Sequence, residues 1–483
     1  MKQAQLEQWV THIDSITNEF APVFKKAQIW QRPSTVDTES NALPPDNAKT
    51  SAYTRRLKHH LAHRFPYAAP ESIAMWIADM DTHPSSHIAE GCSRFLTNNF
   101  GYQAIEIGPI VSKWFSTQGV RVSAASVTSV ASVMSGVDIA LSLLTQPGDK
   151  VMLLSPTYGP LKERIVNQKR TLIEIPLLKL AYAKQDDFKQ LIALLQPDAK
   201  ALVVCHPNNP TGTILPAEIQ RAVALFCDTH GITIISDEVH SEFGYLNSAP
   251  KQPILPFGYG YLNNDDTVLD IASLWRTNDE CPQSDAVSDG ESSGCPEGRG
   301  GCPERWGDNN GCPEKGRVKS DGCLKNGIHF NSVSKAFNLA AIPGASYALI
   351  ENDALRERFK QEVSRRHLDA SSISQVALKE AYEHGLPWLN RVREAIHINR
   401  QYTHAIMQAL PLDVSYSMGD AGYFLWLDLR SHFPDNTFKT ACERGVVGVD
   451  GSQFGAPGFI RLNLACHPTF IAKALKRLFA YAS

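Results

Sequence analysis

The stretch Ala201-Leu-Val-Val-Cys-His-Pro-Asn-Asn-Pro-Thr-Gly212 decides the fold class. Five consecutive apolar residues give way at once to a loop of Pro and Asn. An unbroken apolar run suits a strand whose sheet is covered on both faces, whereas a half-exposed strand alternates. The same texture recurs at Val151-Met-Leu-Leu154, Ile232-Thr-Ile-Ile235 and Ser346-Tyr-Ala-Leu-Ile350, with helix-like stretches between. Strand–helix alternation from about Trp76 to Ile350 predicts an α/β domain with a mostly parallel sheet covered by helices. Pro156, Gly159, Pro160, Pro207 and Pro210 mark the loops that follow strands. In open α/β sheets ligands bind outside the carboxyl ends of the strands, so those loops are where chemistry is expected.

The texture changes beyond Ile350. Helical patterning runs from about Asp353 to Leu410, with a break at Gly385–Pro387, and two strand candidates follow, Gly422–Asp428 and Phe459–Leu464. This mixture predicts a smaller α+β domain over 351–483. Upstream, Leu6, Val10, Ile13 and Ile16 recur at helical spacing. Residues 1–75 therefore read as an N-terminal helix and arm that pack with the small domain, and 76–350 as the large domain.

The chain has 483 residues, with 47 Lys and Arg against 50 Asp and Glu, a net charge of −3. A balance so near neutral argues against a protein that coats nucleic acid or acidic membranes. No apolar run approaches the roughly 20 residues that span a bilayer. The opening residues carry no apolar leader, which predicts a cytoplasmic, reducing setting. Of the ten cysteines, Cys92, Cys205, Cys227, Cys442 and Cys466 are scattered singly and read as reduced core thiols. The other five crowd into Cys281–Cys323. They belong to a segment, 277–327, that holds ten of the 31 glycines and three copies of Gly-Cys-Pro-Glu. Almost free of large apolar residues, it reads as a disordered insertion in the large domain. Its Cys spacings of 14, 7, 10 and 11 lack the tight pairs of zinc motifs, and no metal site is expected there. His59, His60 and His63 are flanked by Arg55, Arg56, Lys58 and Arg64, and read as a basic solvated face rather than a metal site.

Four spots carry the chemistry: His206-Pro-Asn-Asn-Pro-Thr-Gly212, Ser236-Asp-Glu-Val-His240, Asn331-Ser-Val-Ser-Lys-Ala-Phe-Asn338 and Arg461-Leu-Asn-Leu464. The first three directly follow strand candidates. They match the needs of pyridoxal 5′-phosphate, which requires a lysine amine, a carboxylate at the ring nitrogen, donors for the ring oxygen and the phosphate, and a flat side chain against the ring. Lys335 supplies the amine, Asp237 the carboxylate and Asn209 the ring-oxygen contact. Ser332 and Ser334 suit phosphate oxygens. The turn Ser135-Gly136-Val-Asp138 opens a helical pattern whose first amides could cradle a phosphate. Tyr158 can stack on the ring. Each residue also has a plainer reading: Asp237 as a helix cap, His240 as a core histidine, Tyr158 as packing, Arg461 as a surface ion pair, Lys335 as a solvated lysine.

With these motifs on the page, the sequence resembles the fold-type I pyridoxal-phosphate enzymes of aminotransferase class I/II, and within them the PatB/MalY-type cystathionine β-lyases, or C–S lyases. Met75-Trp-Ile-Ala-Asp-Met-Asp81, Phe100-Gly-Tyr102, Ser236–His240, Ser334-Lys-Ala-Phe-Asn-Leu339 and Arg461–Cys466 carry the likeness, which spans about 70 to 483 apart from the insertion. The resemblance implies a seven-stranded sheet in the large domain. It implies that Lys335 bonds the cofactor and shuttles the Cα proton, and that Asp237 pairs with the ring nitrogen. Asn209 would bind the ring oxygen with His240 on the same side, and Tyr158 would stack. Gly136, Val137, Ser332 and Ser334 would surround the phosphate. Tyr102 would reach the phosphate of a neighbouring subunit, which implies a homodimer with shared sites. Arg461 would clamp the substrate carboxylate, with the backbone of Ala78 close by.

Three positions depart from the pattern. Many relatives place an arginine eight residues after the lysine, where this chain has Pro343; Gly159 stands where lyase-like members carry a second aromatic; and Asp138 beside the phosphate turn must face away. The expected activity is α,β-elimination of cystathionine- or cysteine-conjugate-like substrates to thiol, pyruvate and ammonia. The alternatives are an aminotransferase, which uses the same groups, and a binding or regulatory protein on the same fold.

Overall fold

The computed structural model describes residues 2–27, 29–30, 65–68, 71–98, 101, 103, 105–118, 120–177, 190–245 and 327–480. Tyr102, the basic histidine cluster and the insertion up to 326 lie outside the described residues. The strands in chain order are β1 (Ile73–Ala74), β2 (Val127–Val130), β3 (Lys150–Ser155), β4 (Thr171–Pro176), β5 (Ala201–Cys205), β6 (Thr233–Asp237), β7 (Gly327–Ser332), β8 (Ser346–Leu349), β9 (Tyr416–Ser417), β10 (Phe424–Asp428), β11 (Val446–Val447), β12 (Val449–Asp450) and β13 (Phe459–Asn463). The helices used below are α1 (Lys2–Ala27), α2 (Val133–Leu144), α3 (Gly159–Asn167), α4 (Val333–Ala336), α5 (Asp353–Arg365), α6 (Ser372–His384), α7 (Leu386–Gln408) and α8 (Pro468–Ala480).

Seven strands form the large sheet in the order β2-β8-β7-β6-β5-β3-β4. All neighbours are parallel except β8, which runs against both β2 and β7. The apolar runs read from the sequence are its central strands, and β5 and β6 are buried along almost their whole length, as two covered faces require. β2 and β4 were not located from the sequence; at the sheet edge β4 buries only Ile175 fully, so it lacks the covered apolar run that marked the others. Because β5, β6 and β7 lie side by side and parallel, the loops after Cys205 and Asp237 and the turn after Ser332 leave the same edge of the sheet. Cys205 stands opposite Asp237, and Asp237 opposite Phe330.

A second sheet, β12-β13-β10-β9, is antiparallel and places Arg461 in β13 between Trp426 and Val449. Around it lies the smaller domain. Leu6, Trp9, Ile13 and Ile16 of α1 pack there with Ile406, Leu475 and Phe479, and the Trp9 indole donates to the Ile406 carbonyl at 3.1 Å. Val10 is only half-buried; Trp9 takes the core position beside it.

The helical region after 350 breaks twice, after Arg365 as well as at Gly385. Nor does packing change at residue 350. Phe359 and Val363 of α5 join the core under the large sheet, and Ala377, Leu378 and Ala381 of α6 pack with Tyr347 and Leu349. The change falls within α7, whose Leu389, Val392 and Ile396 pack toward the large sheet while Tyr402, Ile406 and Met407 face the smaller core. A continuous helical pattern does not record which core each turn meets.

Candidate active site

Four of the residues singled out from the sequence converge at the carboxyl edge of the large sheet. Asp237, the last residue of β6, is 4% exposed. Its Oδ1 accepts from the Val239 amide at 3.3 Å. Burial, reinforced by the neighbouring Glu238 carboxylate, raises its carboxyl to about 6. Asn209 is buried in the loop after β5, whose backbone is drawn tight because the adjacent Asn208 donates to Pro156 O at 3.0 Å and accepts from Thr211. The Asn209 Oδ1 accepts from Arg461 Nη1 at 2.6 Å, and Arg461 Nη2 donates to Trp76 O at 2.8 Å. The guanidinium lies 4.0 Å above the Phe424 ring. Burial lowers its pKa to about 10, still far above neutrality, so it is a desolvated cation.

Lys335 follows β7 on the short helix α4 and donates to Ala78 O at 3.1 Å. Burial and then Arg461 lower the ammonium's pKa, opposed by Asp79 and Asp237. The expected backbone of Ala78 is thus present, turned to the amine of Lys335. Its segment is held from both sides. Asn463 donates to Ile77 O at 2.7 Å and to Asp79 O at 2.6 Å, while Asn338 accepts from the Met80 amide and donates to Met80 O. Neither Asn463 nor Asn338 was picked out from the sequence, although both lie inside the quoted motifs.

His240 is buried and neutral, its pKa held far below the ordinary value by burial and by the charges of Lys335 and Arg461. Its Nδ1 has no partner among the described residues. Tyr158 precedes α3, is 37% exposed, and its phenol is raised by burial and then by the charge of Asp237.

The phosphate side differs from expectation. α2 begins at Val133, not at Gly136, because Ser132 caps it: its Oγ accepts from the Ser135 amide, and Ser135 Oγ accepts from the Ser132 amide. The Gly136 amide is therefore spent inside the helix on Ser132 O at 3.0 Å, and Val137 is core. Glycine is needed at 136 for a different reason, since a Cβ there would meet Phe330 Cε1 at 2.3 Å. Ser332 is likewise committed: its hydroxyl donates to Ala345 O at 2.8 Å and accepts from the Ser334 amide at 3.1 Å. The first amides of α2 and the half-buried Ser334 hydroxyl remain on that side. Asp138 does face away, toward Gln168 and Arg164.

Pyridoxal 5′-phosphate fits this donor set. A partly buried amine, a buried carboxylate and an unpartnered buried imidazole nitrogen stand at one sheet edge beside a helix start. Among the described residues no cluster of His, Cys, Asp or Glu could hold a metal ion.

The sequence profile of the aminotransferase class I and II family matches residues 104–268 and 315–478, more than half of the chain. The chain belongs to that family. This family member is 24% identical over 428 residues to cystathionine beta-lyase PatB of Bacillus subtilis, covering 86% of this chain and 94% of PatB. It is 26% identical over 433 residues to protein MalY of Escherichia coli, covering 87% and 93%. Its fold is that of cystalysin from Treponema denticola, a crystal structure containing a pyridoxal 5′-phosphate cofactor, with a TM-score of 0.67, 21% identity and 90% and 96% of the two chains covered. The PLP-bound C–S lyase from Staphylococcus hominis aligns with a TM-score of 0.66 and 20% identity, covering 88% and 95%.

Proposed function

We propose that this chain is a pyridoxal-phosphate-dependent C–S β-lyase that cleaves cystathionine- or cysteine-conjugate-like amino acids to a thiol, pyruvate and ammonia. The carrying observation is the convergence of Lys335, Asp237, Asn209 and Arg461 from three strand ends and a strand of the second sheet. The names of PatB and of the C–S lyase structures support the lyase over the aminotransferase reading.

When bound, the cofactor supplies a sink for the electron pair left at Cα. The chain's own residues do the rest. Lys335 Nζ, its ammonium destabilised by burial, is poised to take the Cα proton, and Ala78 O fixes where that amine sits. Asp237, disfavoured as a lone buried anion, favours a cationic nitrogen facing it. Arg461 meets the substrate α-carboxylate, and Asn209 and Trp76 O hold the plane of its guanidinium. Ser334 and the first amides of α2 serve the phosphate, and Tyr158 flanks the ring.

The same reading makes the protein a cytoplasmic homodimer with Tyr102 reaching the neighbour's site. The free thiols at Cys205, Cys227, Cys442 and Cys466 support a reducing compartment, and the exposed apolar side chains of Ile77 and Tyr158 give a second copy something to cover. The large domain then runs from 76 into α7, with the smaller domain completed by α1.

The test is a product assay on L-cystathionine with and without a 2-oxo acid. The lyase releases pyruvate, ammonia and a thiol without an acceptor. Amino transfer that requires the acceptor and releases no thiol would overturn it in favour of the aminotransferase.

A further inference from the structure

Tyr423 is fully buried, yet its hydroxyl has no partner among the described residues. A buried phenol left unpaired is unfavourable, and native interiors rarely tolerate one without a purpose. Its backbone is stitched between two parts of the site. The neighbouring Gly422, at φ +76°, donates to Phe243 O in the loop that carries His240. Tyr423 O accepts from Leu464, three residues after Arg461. The ring stands edge-on to His240 at 5.9 Å and to Phe243 at 5.1 Å, and touches Phe424 at 4.7 Å, the ring over which the Arg461 guanidinium lies. Burial, then Asp79, raises the phenol's pKa while Arg461 lowers it, so the hydroxyl is a protonated donor with Asp79 and Arg461 in electrostatic reach.

Arg461 Nε is also buried without a partner among the described residues. Two such donors, one cationic and one neutral, belong to side chains that both pack on Phe424, and together they suit an anionic acceptor. We infer that the Tyr423 hydroxyl is a substrate-binding group that donates to the α-carboxylate held by Arg461. This rests on the reading of Arg461 given above, and it explains why a hydroxyl is kept in an otherwise apolar pocket of Phe243, Phe424 and His240.

Tyr423→Phe removes one oxygen and nothing else. The cofactor-loaded protein is titrated with L-alanine and with L-alaninamide, following the visible absorbance of the cofactor, and the cofactor-free protein is melted thermally. The expected result is an alanine affinity about tenfold weaker with the amide unchanged, as for loss of a hydrogen bond to a charged group. On an S-alkyl-L-cysteine, KM rises by about the same factor while kcat stays within about twofold. The cofactor-free variant melts at or above the wild-type temperature, since an unpaired hydroxyl has been removed. An alanine affinity within about twofold of wild type, or an equal loss for acid and amide, overturns the inference. Arg461→Lys separates the two levels: if it also leaves the preference for acid over amide intact, the reading of Arg461 itself fails, and if it erodes that preference while Tyr423→Phe does not, only the role of Tyr423 falls.

Discussion

Replacing Asp237 by Asn tests whether a lone buried carboxylate strains the cofactor-free fold. In the unfolded chain this carboxyl ionises near 3.8, whereas burial in the fold raises it to about 6. Between those values the folded chain holds a proton that the unfolded chain has lost, so raising the pH favours unfolding. The full difference is worth about 3 kcal/mol at neutral pH, of which roughly 1.3 kcal/mol is lost between pH 5 and 7. Asn cannot ionise and keeps an oxygen for the Val239 amide, so Asp237→Asn removes this contribution with little else disturbed. Urea unfolding of the cofactor-free wild type and variant at pH 5 and pH 7 measures it, every other titrating group cancelling in the comparison. The wild type should lose about 1 kcal/mol more than the variant on going to pH 7. Loading with pyridoxal 5′-phosphate should abolish that difference for the wild type, because the carboxylate then faces a cation. Equal pH dependence of the two cofactor-free proteins, within about 0.3 kcal/mol, would refute the burial argument.

Lys335→Ala should lower thioether cleavage by at least about 100-fold and abolish the visible band of lysine-bonded cofactor, read by pyruvate release and absorbance. Gly136→Ala puts a Cβ at 2.3 Å from Phe330 Cε1 and should cost about 1–3 kcal/mol in urea unfolding. Arg393→Met strands the buried Glu242 carboxylate, which now receives Arg393 at 2.8 Å and the Trp114 indole at 2.9 Å; a loss of about 3–5 kcal/mol is expected, and adding Glu242→Leu should recover part of it.

The strand ends that carry Asn209, Asp237 and Lys335 were legible because the signal is local. Each is a short apolar run that stops at a Pro, Asn or Ser within a few residues, and parallel neighbours must then deliver those stops to one edge. The start of α2 was misplaced although its signal was present, since Ser132 and Ser135 form a reciprocal cap without the acidic third residue that usually advertises one. Ser332 is expected near the phosphate because a hydroxyl beside a lysine suits that role; that its hydroxyl donates to Ala345 O is a pairing only the fold supplies.

By itself the amino-acid order determined the covered sheet, the chemistry each loop could offer and the family. Only the tertiary structure decided how those offers combine. Arg461 and Asn209 meet across 252 residues of chain, Asn463 reaches back to Ile77 and Asp79, Glu242 finds Arg393, and Tyr423 is left with a hydroxyl that no described residue partners. Such meetings depend on which buried surfaces close on one another, and short-range patterning carries no record of that closure.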